Sequence, residues 1–222
     1  MKPISLLLAA GVIGLSACKS DQTSSEETTK TTEAPAIPWT TLLGKQDLWQ
    51  DPLNGQTTEW HEDGSLTIHY GESVAGVKWT GDLPQAPYEL ELETRRLDGV
   101  DFFCGLTFPV RKADECVTLI LGGWGGTQVG ISSIDGMDAS QNETSQIISF
   151  EKERWYQVKL KVTEEKLQVS LDGKQIMDVD IAGKALGLRH GPIENFTPLS
   201  LTTFQTDGQF RNLKWRALDS AR

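Results

Sequence analysis

The sequence predicts an all-β fold, a two-sheet antiparallel sandwich of jelly-roll type, and three observations predict it. Apolar and polar residues alternate with period two in several runs, Asx-Gly pairs punctuate those runs, and no stretch carries a capped amphipathic pattern with a sustained 3.6-residue period. About 180 residues without helices close a core by stacking antiparallel sheets.

The elements follow in order. Tyr88, Leu90 and Leu92 alternate with Glu89, Glu91 and Glu93. Tyr156, Val158, Leu160 and Val162 alternate with Gln157, Lys159 and Lys161, and Leu167, Val169 and Leu171 with Gln168 and Ser170. Each such strand turns one face to a core and the other to solvent or a groove. Asn54-Gly55, Asp63-Gly64, Asp98-Gly99, Asp135-Gly136, Asp172-Gly173 and Asp207-Gly208 offer the positive φ that tight turns need. The clearest hairpin joins Leu167–Leu171 to Gln175–Val179 across Asp172-Gly173.

Composition narrows the function classes. Seven Trp, seven Phe and 38% hydrophobic residues exclude disorder throughout. The balance of 21 Lys plus Arg against 31 Asp plus Glu, a net charge of −10, argues against a nucleic-acid partner, because a polyanion needs a basic surplus gathered on one face.

The first 17 residues read as an address. Met1-Lys2 precedes an uncharged, mostly apolar stretch to Ala17, too short to span a bilayer as a helix. Leu15-Ser16-Ala17-Cys18 resembles the bacterial lipobox, which implies cleavage before Cys18 and lipidation of Cys18 with acyl chains such as palmitate. Two or more chains, at about 0.8 kcal/mol per buried CH₂, make a stable anchor. Residues 19–38 are rich in Ser, Thr and Glu with no aromatic, and read as a solvated tether of roughly 25 Å root-mean-square span. The expected location is the bacterial cell envelope; Lys19, rather than Asp, after the Cys favours the outer membrane by analogy with enterobacterial sorting. The domain proper is expected over residues 39–218, and the sequons at Asn142 and Asn195 are discounted in a bacterial chain.

Four features carry candidate chemistry. Glu89, Glu91 and Glu93 share one strand face with neighbours about 6.6–7 Å apart, a spacing compatible with an acid–base carboxylate pair or with a solvated face neutralised by Arg95, Arg96 or a cross-strand Lys. Gly122-Gly123-Trp124-Gly125-Gly126 presents one indole on nearly bare backbone, either a stacking platform for a sugar ring or a tight turn with Trp124 in the core. Asp135, Asp138, Asn142 and Glu143 concentrate oxygen ligands suited to calcium in a loop without EF-hand spacing, or form a polar turn that satisfies its own backbone. Cys104 and Cys116 flank a short loop; a hairpin centred on Val110 places them opposite each other, about 4.5–5.5 Å apart at Cα, and predicts a disulfide in an oxidising compartment. His61, His69 and His190 match no zinc spacing, and there is no Gly-x-Ser-x-Gly elbow.

The run from Tyr88 to Glu93, Trp155-Tyr156-Gln157-Val158 leading to Val169–Lys174 and Val179-Asp180, then Leu201–Gln205 and Phe210-Arg211-Asn212-Leu213, resembles the 3-keto-disaccharide hydrolase-like domain family. That resemblance implies a concanavalin A-like, laminin G-like jelly roll and a saccharide or glycoside partner, and it places Glu89, Glu93 and Gln205 where the family carries a strand Glu pair and a late Gln. Phe103–Pro109 and Cys116–Leu121 replace the family's Asn-Ser-Gly and Glu-Val-Gln signatures. The expected function is therefore carbohydrate binding or processing, with Trp124, Gln205, Glu89 and Glu91 contacting sugar. The alternatives are a 3-keto-glycoside hydrolase or lyase in which Glu93 moves the proton and Gln205 positions a hydroxyl, and a non-catalytic envelope scaffold. Convergence of Glu93, Trp124, Asp135 and Gln205 on one cleft separates the sugar-handling readings from the scaffold.

Overall fold

The computed structural model describes residues 37–219 except 56, 72 and 84. The leader, Cys18 and the tether up to residue 36 lie outside the described residues. The strands are β1 (Thr40–Thr41), β2 (Trp49–Gln50), β3 (Thr58–Trp60), β4 (Leu66–Ile68), β5 (Val74–Trp79), β6 (Tyr88–Gly99), β7 (Cys104–Pro109), β8 (Cys116–Gly122), β9 (Gln128–Ser132), β10 (Gln146–Ile147), β11 (Tyr156–Val162), β12 (Lys166–Leu171), β13 (Lys174–Asp180), β14 (Ser200–Phe204) and β15 (Thr206–Ala217). One antiparallel sheet, sheet A, runs β13-β12-β11-β6-β15-β4-β3 with β1 beside β15; the other, sheet B, runs β10-β9-β8-β7-β14-β5-β2. This is the jelly-roll sandwich that the alternation predicts.

The core forms because period two in both sheets turns the apolar sets toward each other. Leu90 pairs with Leu160 and Leu92 with Val158 in sheet A, while Leu106 pairs with Leu119 in sheet B, and all six are fully or almost fully buried. Burying each such side chain contributes about 1.5–3 kcal/mol. Tyr88 is enclosed with them and its hydroxyl donates to the Pro109 carbonyl at 2.6 Å, which satisfies its polar end. Strands β7, β8 and β9 are buried along their whole length, because loops cover much of the outward face of sheet B.

Most turns behave as their sequences demand. Asp135 and Gly136 both have positive φ (52° and 74°), as do Asp172 and Gly173 (49° and 77°), and the second pair closes the β12–β13 hairpin. Asp207-Gly208 is a correction. It makes no turn; the pair sits at a register shift inside β15, and Gly208 is needed there because a Cβ would lie 2.3 Å from the Phe103 carbonyl oxygen.

The expected disulfide is the second correction. Cys104 pairs with Leu121 and Cys116 with Pro109, so the hairpin turns further along the chain than Val110. The two cysteines are five ladder positions apart, about 17 Å, and on opposite faces of sheet B, well beyond the about 7 Å a bridge tolerates. Both are free and buried, and burial pushes each thiol up to about 12. In the folded protein both should resist alkylation at neutral pH, since the thiolate is the nucleophile. After unfolding without reductant, mass spectrometry should find both alkylated; a Cys104–Cys116 linked peptide would contradict this register.

Candidate functional site

On the outward face of sheet A the β6 carboxylates Glu89, Glu91 and Glu93 are each matched by bases from β11 or β15. Glu89 accepts from Arg216 (Nη2 at 2.7 Å, Nε at 3.0 Å) and faces Lys159 at 3.2 Å. Glu91 lies between Lys159 and Lys214. Glu93 accepts from Arg211 at 2.6 and 2.9 Å on one oxygen and from the Asn212 amide at 2.8 Å on the other. The neutralising cations therefore come from β11 and β15. Arg95 instead donates to Gln209 and lies over Trp155, and Arg96 donates to the Phe150 carbonyl. Trp155 is flanked by Arg95 and Arg211, at 4.5 and 4.1 Å from the ring centre, and Lys214 and Arg216 lie over Trp39.

Burial is the largest influence on Glu89 and raises its pKa, but the hydrogen bonds and charges of Arg216 and Lys159 outweigh it and hold the carboxyl below its ordinary range. Glu93 behaves likewise: burial raises it, and Asn212, Arg211 and Lys214 together bring it below the ordinary range. A general acid must keep its proton at working pH, so this environment makes Glu93 a fixed carboxylate. Glu93 borders a depression of about 170 Å³ shared with Gln157, Asn212 and Lys214.

A second cleft, about 470 Å³, lies on the outward face of sheet B. Its floor is set by register. Ser132 and Thr118 pair across β9 and β8, and Ile120 lies in the next row between Gly130 and Gly105, which are covered by Ala139 and by Phe102 with Thr202. Phe102 and Phe204, stacked with centroids 5.9 Å apart, add apolar surface, and Pro192 and Ile193 line it from a short 3₁₀ turn.

Trp124 lines this cleft with 43% of its surface open. Its backbone is left-handed (φ 47°, ψ 56°), a strain of about 1–3 kcal/mol for a side chain of this size. Neighbours hold it there. Gly122, Gly125 and Gly126 absorb the positive φ around it, and Asp101 accepts the Trp124 N–H at 3.2 Å and the Phe102 N–H at 2.8 Å. The Asp101 N–H in turn donates to Thr206 at 2.8 Å. The stretch is thus a strained turn that leaves the indole at the surface rather than in the core.

Asp138 enters the cleft from the loop after β9. Its Oδ1 accepts from Ser132 Oγ at 2.5 Å and from the Ala139 N–H at 2.8 Å, while Oδ2 pairs with Arg189 Nη1 at 2.9 Å. The Arg189 guanidinium also sits 5.5 Å from the Trp124 ring centre. His190, fully exposed, is engaged by Glu194.

The structure does not gather the four oxygen donors expected for calcium around one point. Asn142 donates to the Ile131 and Met137 carbonyls and accepts from Thr144; Glu143 is ion-paired with Lys184; Asp135 accepts the Ala185 N–H at 2.9 Å. The four side chains point to four different partners, and no group of three or more His, Cys, Asp or Glu that could hold a metal occurs among the described residues. Asn142 and Thr144 instead cap the edge of β9, Thr144 accepting the Ile131 N–H at 2.8 Å.

Of the four residues expected on one cleft, Trp124 alone lines it. Glu93 is on the opposite sheet, Asp135 is in the turn against Ala185, and Gln205 sits with positive φ (48°) between β14 and β15 with its side chain exposed. Glu89 and Glu91 lie with Glu93. Asp101 and Arg189 were not singled out from sequence, and no periodicity marks them, since they come from turns 88 residues apart.

No family model and no curated protein matches the chain. Among solved structures, the chain is similar to the Crh5 transglycosylase in complex with NAG, at TM-score 0.56 and 11% identity over 84% of this chain and 86% of that one. The apo form of Crh5 gives TM-score 0.54 and 11% identity over 85% and 82%. A "putative glycosyl hydrolase" from Parabacteroides distasonis ATCC 8503 gives TM-score 0.53 and 15% identity over 82% and 94%. At these identities the shared property is the jelly-roll sandwich itself.

The sheet A ladder has a measurable consequence. A carboxyl held below its unfolded value adds stability above that value, and this is lost as pH falls through the folded one. Acid unfolding of the protein should steepen below about pH 4. Glu89→Gln should lower stability at pH 7, leaving Arg216 unmatched and Lys159 with Glu91 alone, and flatten the acid limb. An unchanged acid limb in urea titrations between pH 2 and 7 would contradict this assignment.

Proposed function

We propose that the domain binds a saccharide in the sheet B cleft, with Trp124 as the stacking surface and binding, rather than bond cleavage, as its activity. The observation that carries the reading is the strained, half-open indole held by Asp101 beside the Asp138–Arg189 pair, in a cleft with an otherwise largely apolar lining. An apolar cleft with a few convergent polar groups and one exposed aromatic suits a sugar, whose C–H face stacks while its edge hydrogen-bonds. The solved structures named above support the reading, since one is a transglycosylase seen with NAG and another is named for glycoside hydrolysis. The carboxylates Glu89, Glu91 and Glu93 of sheet A, each ion-paired and facing away from this cleft, favour a structural role for that face.

The lipobox-like ending at Cys18 supports attachment of this domain to the bacterial envelope through N-terminal acyl chains, with residues 19–38 as a tether. No helix among the described residues is long and apolar enough to cross a membrane.

In thermal-shift titrations, a bound saccharide at 100 times its dissociation constant should stabilise the protein by about 2.7 kcal/mol. Trp124→Ala should weaken that binding about tenfold or more, the equivalent of about 1.4 kcal/mol. Silence across a broad neutral and acidic glycan panel at millimolar concentration would end the saccharide reading. Separately, Cys18→Ala should release the protein from the membrane fraction; a Cys18→Ala chain recovered there with acyl groups would refute the anchor.

A further inference from the structure

Resting on the saccharide reading, we propose that Arg189 and Asp138 form a fork that reads a vicinal diol on a neutral sugar unit, so that the cleft selects neutral glycans with free adjacent hydroxyls over uronic acids. A guanidinium has five donors and a carboxylate about four acceptor positions. Asp138 uses three of its positions, on Ser132, Ala139 and Arg189, while Arg189 spends one described donor on Asp138. What remains, several donors beside one acceptor, is complementary to two adjacent hydroxyls, one accepting from the guanidinium and the other donating to the carboxylate.

The fork is preorganised on the acid side. Asp138 is only 16% exposed, and two donors from its own strand and loop fix its Oδ1, leaving Oδ2 toward Arg189. Arg189 is 62% exposed and bridges Asp138 to the Trp124 ring, so the polar fork and the stacking surface meet at one end of the cleft. Side-chain adjustment at Arg189 then lets a ring stack on the indole with its edge hydroxyls at the fork. Charge sets the selectivity. Asp101 and Asp138 oppose the single guanidinium among the cleft-lining groups, and Glu194 holds the neighbouring His190. A sugar carboxylate would compete with Asp138 for Arg189 and meet two fixed negative groups.

The test uses the full chain with soluble starch, dextran and mannan, each intact and after mild periodate cleavage and borohydride reduction, with polygalacturonate as the anionic probe. Periodate breaks the carbon–carbon bond between vicinal hydroxyls and leaves the polymer neutral. We expect at least one intact neutral polymer to bind, its cleaved form and polygalacturonate to bind at least tenfold more weakly, and Arg189→Lys and Asp138→Asn each to weaken intact-polymer binding at least tenfold. Arg189→Lys keeps the charge and leaves Asp138 held by Ser132 and Ala139, so it separates loss of the fork from loss of the loop. Equal binding of the cleaved polymer, full affinity in Arg189→Lys, or preference for polygalacturonate would overturn the fork; Trp124→Ala-sensitive binding in those cases leaves the saccharide reading standing. If no polymer binds, the saccharide reading fails and the fork with it.

Discussion

The approach of one loop to one glycine governs the cleft. Ala139 lies against Gly130 so closely that a Cβ on Gly130 would fall 2.5 Å from the Ala139 carbonyl oxygen and 3.0 Å from its Cβ. Only a bare backbone lets the loop after β9 lie flat on the strand that it leaves. With the loop seated, Asn142 and Thr144 take the Ile131 carbonyl and N–H, the strand edge is closed, and Asp138 comes within reach of Ser132 and Arg189. Gln128, buried at the base, reaches the Ala139 and Gln146 carbonyls and joins both ends of the loop. Without that contact the carboxylate has no fixed position, and the Arg189 bridge to the indole loses its anchor.

The two outward faces of the sandwich are built to different ends. On sheet A, acids on β6 meet bases on β11 and β15, and two tryptophans lie under cation pairs. Partly exposed ion pairs contribute only about 0.2–1 kcal/mol each, so the ladder chiefly leaves none of Glu89, Glu91 and Glu93 unpaired on its strand face. On sheet B the strands offer the cleft Val74, Thr118, Ile120, Ser132 and Phe204, none of them charged, and the charged groups arrive from turns. The strain at Trp124 is offset by the glycines around it and by the Asp101 acceptor. Strain kept at an exposed aromatic beside a fixed carboxylate is what supports the proposal that this face meets a ligand.

The fold was legible because period two is a property of neighbouring residues. Tyr88 to Glu93 and Tyr156 to Val162 each announce which side chains enter the core, and the structure pairs those core residues across β6 and β11, Leu90 with Leu160 and Leu92 with Val158. Asp172-Gly173 announces its hairpin for a similarly local reason. Register across a turn is less local: Cys104 and Cys116 miss each other because the hairpin closes beyond Val110, and one odd step along a strand exchanges faces. The Asp207-Gly208 pair misleads because the same dipeptide serves a turn or a close strand contact, depending on what lies opposite, here Phe103. Of the site, Trp124 was visible through its glycines. Asp138 was visible as an oxygen donor, but its partner Arg189 was not, because a pair formed by two loops leaves no mark on either stretch of sequence.

The central claim is that ligand recognition belongs to the sheet B cleft, and amide and indole chemical-shift mapping during titration with neutral trisaccharides tests it most directly. The account predicts shifts at the Trp124 indole N–H, at Asp138 and Ala139, and at the Arg189 side chain, with the Glu89–Glu93 strand and Arg211 unmoved. Shifts confined to Glu93, Arg211 and Asn212, with the Trp124 indole silent at saturation, would contradict it.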